Sequence, residues 1–187
     1  MQNSRTADWR RFGGGGLVLA GGILLIGELA RAVWIPLGDW VVACGVVVVA
    51  IALLAACFGQ TGSNGIVGAS FPGKAALVAA AVGWLLVAVI VVFHGLAMPV
   101  PRTLVVIAIV LATGAGLMGS IVVQRHGVAR GPARYALYPP SLWGAIAIAG
   151  VLAWVPVPSA LGFGTLGILL VIAGMLYARN GRSLARR

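Results

Sequence analysis

The chain has 187 residues, 61% of them hydrophobic and 9% charged, with a mean hydropathy of +1.08 and a net charge of +10. That balance excludes an ordinary soluble domain. The basic excess also gives no support to a nucleic-acid partner, because the thirteen Lys and Arg residues gather at the ends of apolar runs instead of forming one patch.

Lipid as solvent restricts the fold to helices or a closed barrel, since every backbone amide must find its partner within the protein. Barrel strands alternate apolar and polar residues. Residues 46–54, Val-Val-Val-Val-Ala-Ile-Ala-Leu-Leu, are apolar on every side. The expected class is all-α, an integral membrane bundle of six helices.

Taken in order, residues 1–12 form a basic cytoplasmic leader in which Trp9, Arg10 and Arg11 suit the headgroup level. The polar, Gly-rich start shows no small-residue cleavage site after a short apolar core, so the first span is expected to be retained. That span covers about 13–33 and contains Glu28 and Arg31, a carboxylate and a guanidinium three positions apart and thus on one helical face. Ionisable groups inside a span mark a candidate intramembrane site. The competing reading is a structural pair whose Arg31 stem snorkels toward the outer headgroups.

Residues 34–39 form a turn, and Asp39 stands where it could cap the second span, about 40–58, or contact a ligand. Cys44 and Cys57 lie in that span, about 20 Å apart at a helical rise, beyond disulfide reach. They read as small apolar packers. Residues 59–73 suit a flexible linker. Residues 68–75, Gly-Ala-Ser-Phe-Pro-Gly-Lys-Ala, match most of a phosphate-binding loop. Ala75 replaces the hydroxyl that magnesium requires and no strand precedes, so the match is rejected.

The third span, about 75–93, places Ala75, Ala79 and Gly83 at four-residue intervals, a spacing that lets helix backbones approach closely. The fourth, about 103–123, repeats the device with Ala112, Gly116 and Ser120 and again with Ala115 and Gly119. His94 lies in the turn between them, with no second ligating residue near in sequence, and reads as interfacial. Residues 124–134 form a basic loop. Pro139 and Pro140 open the fifth span, about 138–154, where missing amide donors cost least. The sixth, about 160–177, carries Gly162, Gly164, Gly167 and Gly174 as a packing face, and residues 180–187 form a basic tail.

Only Arg31 and Arg102 among the basic residues fall near the 34–39, 94–102 and 155–159 turns. The positive-inside rule then places both termini in the cytoplasm and these turns outside, with anionic headgroups as counter-charge. Each of the three turns holds proline between an ascending and a descending helix. The bundle therefore reads as three antiparallel helical hairpins, units that cannot bury their faces alone.

This pattern, with Gly21-Gly22-Ile23-Leu24-Leu25-Ile26-Gly27 before the first turn and Leu166-Gly167-Ile168-Leu169-Leu170-Val171-Ile172-Ala173-Gly174 after the third, resembles the HdeD-type acid-resistance membrane proteins. The resemblance implies a small six-span protein of three hairpins with a role in envelope stress. It carries no functional residue onto this chain, and Glu28 and Arg31 lie outside it.

The acidic inventory is Asp8, Glu28 and Asp39. Paired catalytic carboxylates, a nucleophile set and clustered metal ligands are absent from the sequence, so neither catalysis nor a cofactor or metal is expected. Two roles stay open: an accessory or scaffold subunit of a larger membrane complex or homo-oligomer, or a small transporter or channel using Glu28 and Arg31.

Overall fold

The computed structural model describes residues 8–33, 37–58, 65–126, 129, 131–152 and 160–179. These form α1 (Asp8–Ala32), α2 (Gly38–Phe58), α3 (Phe71–Gly95), α4 (Arg102–Ile109), α5 (Gly116–His126), α6 (Tyr138–Leu152) and α7 (Thr165–Arg179). A π-helical turn, Val110–Ala115, joins α4 to α5 in one continuous rod, and a second, Ala160–Gly164, leads into α7. There is no strand among the described residues. Among the described residues, five helical runs are long and apolar enough to cross a membrane, and α6 adds 15 apolar-rich residues.

Apolar helices gain nothing hydrophobic from meeting one another in lipid, so association depends on how closely the backbones approach. Here α1 supplies the approach on two sides. Facing α7, Gly14 lies against Gly174 and Gly21 against Gly167, in antiparallel register. A Cβ on Gly21 would stand 2.4 Å from the Gly167 carbonyl oxygen, and one on Gly174 would stand 2.4 Å from that of Gly14. Toward α2, Gly13 meets Ala56, Gly16 meets Ala52 and Gly27 meets Val42. The seven-residue separation of each α1 and α7 pair is two helical turns, which keeps both contacts on one seam.

From α2 the packing passes to α3 and then to the α4–α5 rod, where a Cβ on Gly83 would sit 2.2 Å from the Ala112 nitrogen. Ala112, Gly116 and Ser120 are all buried. Gly116 closes on Ser141 of α6, and the Ser120 hydroxyl donates to the Leu117 carbonyl. Two other members of the expected packing faces behave differently. Ala75 is exposed, and a Cβ on Gly164 would meet nothing nearer than Glu28 Cγ at 4.0 Å. Small-residue spacing marks a face, but a seam forms only where a partner helix covers it.

Helix boundaries also shift. α1 begins at Asp8, inside the expected leader, and α3 begins at Phe71 rather than near 75. Ser70 caps α3 by accepting from the Gly73 amide at 3.3 Å, and Pro72 occupies the first turn, so the residues that mimic a phosphate loop are a helix start. Of the expected flexible linker, residues 65–70 are a packed turn. The Ile66 amide donates to the Ala56 carbonyl at 2.8 Å, and Ile66 and Val67 are fully buried. Cys57 is buried and Cys44 exposed, both as free thiols. Of the three expected outer turns, 34–36 and 153–159 fall outside the described residues. The second is closed by the Met98 amide donating to the Phe93 carbonyl, with Ala97 in the left-handed region at φ 53°.

The α1–α7 seam predicts a position-specific response to added methyl groups. Gly21→Ala and Gly174→Ala should lower the unfolding midpoint in detergent. Gly22→Ala, with nothing within 4 Å of its Cβ, should leave stability unchanged or raise it by up to about 1 kcal/mol through helix propensity. Equal responses at all three positions would contradict the seam.

Candidate functional site: an arginine clamp beside a cavity

Glu28 and Arg31 lie one turn apart at the C-terminal end of α1, and the structure joins them as their spacing implies. Arg31 Nη1 donates to Glu28 Oε1 at 2.7 Å. A third charge completes the group. Arg31 Nε donates to Asp39 Oδ1 at 2.6 Å, and Nη2 reaches the same oxygen. Asp39 lies in the first turn of α2, where a carboxylate is also favoured by the helix dipole. Its expected part as an N-cap is thus corrected: the helix begins at Gly38, and the Asp39 side chain serves Arg31.

Two glycines make the meeting possible. A Cβ on Gly38 would stand 2.8 Å from Arg31 Cγ, and one on Gly95, the last residue of α3, would stand 3.1 Å from Asp39 Cβ. The guanidinium carbon also stands 5.7 Å from the centroid of the Phe163 ring, within cation–π range. Arg31 therefore ties together α1, α2 and the π-helical turn before α7. Side-chain exposure rises from 7% at Glu28 through 20% at Arg31 to 28% at Asp39, so the group runs from the interior of the bundle to an opening.

Arg31 and Asp39 line a partly open cavity of about 720 Å³ bounded by the second half of α3, the α4 rod, α6 and the start of α7. Arg31, Asp39 and His94 stand at one end, while Val87, Ala112 and Leu166 line the depth. Its size lies in the range of ligand-binding pockets. Both π-helical turns face it, through Ala112 and Thr113 on one side and Gly162 and Phe163 on the other. Such turns displace carbonyls from the α-helical ladder and recur at functional sites. Here the Thr113 hydroxyl donates to the Ile109 carbonyl at 2.9 Å, and the Trp143 indole N–H donates to the Gly162 carbonyl at 3.2 Å. A Cβ on Gly144 would meet Thr113 Cγ2 at 2.4 Å, which is how α6 comes close enough to form the wall.

Glu28 and Arg31 are recognisable from their helical spacing and His94 from its place at a helix end, whereas the partnership of Asp39, the part of Phe163 and the cavity have no local signature in the sequence. Gly-containing stretches at 113–116 and 162–164 were the available signals for the π turns. Among the described residues, no group of three or more His, Cys, Asp and Glu side chains is placed to hold a metal ion. No family model, curated protein or solved structure matches the chain.

Removing Arg31 would leave two carboxylates together with one of them buried. Arg31→Ala should therefore destabilise the bundle by about 3–5 kcal/mol, the scale for breaking a buried ion pair. Glu28→Gln, which keeps an acceptor near Arg31, should cost less. Unfolding by SDS titration from mild detergent measures both. An Arg31→Ala effect no larger than that of Leu29→Ala, at a 66% exposed neighbour, would show that the clamp does not hold the helices.

Proposed function

We propose that this is a non-enzymatic, six-span component of the cytoplasmic membrane, built as three hairpins with both termini in the cytoplasm. In this reading it acts as an accessory or scaffold subunit of a larger membrane assembly, or as an envelope-stress component. The carrying observation is the clamp: the interior charges satisfy one another across α1 and α2, as expected of a structural lock. Large apolar side chains such as Leu19, Ile26, Ile51, Val89, Ile168 and Ile172 are exposed around the bundle and suit lipid or a partner helix. Lys74, Arg125, Arg134 and Arg179 lie at the end opposite the clamp, which supports the orientation. The stress role rests on the resemblance to HdeD-type proteins.

The cavity beside the clamp favours a second reading, a small transporter or channel using Glu28 and Arg31. Two experiments separate these readings. In mild detergent the full chain should copurify with a stoichiometric membrane partner; a lone monomer would count against the accessory role. Reconstituted flux that falls with Glu28→Gln would favour transport. Reporter fusions at residue 187 should report the cytoplasm, and an external tail would overturn the proposed topology.

A further inference from the structure

We propose that the cavity beside the clamp is a seat for one acyl chain of a membrane phospholipid, inserted from the end where Arg31, Asp39 and His94 stand and running toward the middle of the bundle. The inference rests on the protein spanning a bilayer and is independent of its orientation and of the accessory role.

The depth of the cavity decides the length of its occupant. On α3 the lining face is Trp84, Val87, Val91 and His94, and the distance from the first to the last is about 15 Å at a helical rise. Across from it the α4 rod lines the cavity from Val105 to Thr113. Both faces start at the clamp end of their helix and stop near its middle, where Gly83 meets Ala112 and the two backbones close on each other. The space beyond, bounded by Leu77, Gly116 and Leu170, is about 20 Å³, too small for a chain. The cavity is therefore a slot along the helix axes, polar at one end and blind at the other. The hydrocarbon core of a bilayer is about 30 Å thick, so each leaflet supplies about 15 Å, the same depth.

The walls decide its chemistry. Between Trp84 and Ile90 on one side and Ile109 and Leu166 on the other, the lining is aliphatic and aromatic. Trp143 donates its N–H to the Gly162 carbonyl and Thr113 its hydroxyl to the Ile109 carbonyl, so these groups direct their donors to the protein. A buried water needs about three polar partners and finds few there. An acyl chain gains dispersion contacts along its whole length. At the polar end Arg31 and Asp39 are bonded to each other, and His94 stands beside them in the lining. That end matches the level of a phospholipid head, and what the cavity selects is a long apolar chain, whatever the charge of the head.

Photolabelling tests this with a matched pair of valines on α3. Val87 is 9% exposed and lines the cavity, while Val89 is 44% exposed on the outer surface of the same helix. The full chain should be placed in phosphatidylcholine nanodiscs containing a phosphatidylcholine with a diazirine midway along one acyl chain, irradiated, and its adducts located by mass spectrometry. Adducts are expected at Val87 and Val91 as well as at Val89. Ile109→Trp, which fills the cavity without touching the clamp, should remove those at Val87 and Val91 and leave that at Val89. Wild-type labelling at Val89 without Val87 and Val91 would overturn the proposal, and so would labelling of Val87 and Val91 that persists in Ile109→Trp. Labelling of Val89 in the same sample reports that α3 lies in the bilayer, so failure of the proposal is distinguishable from failure of the membrane reading. If Ile109→Trp fails to fold, the wild-type pattern decides.

Discussion

The structure depends on the closeness with which α1 meets its neighbours. In a hydrocarbon solvent one apolar helix face is as well accommodated by lipid as by protein, so the gain must come from contact between backbones and from the few polar groups that meet as a result. Gly14 and Gly21 against α7, and Gly13, Gly16 and Gly27 against α2, supply that closeness on two seams of one helix. In water, so many glycines would weaken a helix. In lipid the cost of breaking backbone hydrogen bonds holds the helix together, and the missing side chains become an advantage.

The clamp follows from that geometry. Because α1 and α2 are drawn together along their length, Arg31 arrives beside Asp39, and because α7 lies on the other seam, Phe163 arrives beside Arg31. The cavity lies between α3, the α4 rod, α6 and the start of α7, beside the two π-helical turns. The seams are therefore consequences of one distribution of small residues, and the cavity lies beside two interruptions of the helical ladder, among aromatic side chains.

A charge cluster of this kind is both structural and available. Glu28 is buried and serves to hold Arg31, whereas Arg31 and Asp39 both reach the cavity. The buried end of the cluster and its exposed end are thus different parts of the same three residues.

Much of this was legible without coordinates. Long apolar runs, the rejection of the barrel, Glu28 and Arg31 on one face, and the small-residue faces of α3, α5 and α7 follow from hydropathy and helical period, which are local properties of the chain. Other features were not. Ser70 and Pro72 were visible as residues, yet their part as a helix start was hidden inside a motif that looked like a loop, and Ile66 and Val67 were hidden inside a segment whose composition suggested a linker. The pairing of Asp39 with Arg31, the approach of Phe163, the burial of Gly83 against Ala112 and the cavity all depend on which helix faces meet and at what register. The sequence by itself determined that the solvent is lipid and that the elements are helices, because unmet backbone hydrogen bonds permit little else. Tertiary structure alone decided which charges neutralise each other and where the bundle stays open, because those depend on distances between residues far apart along the chain.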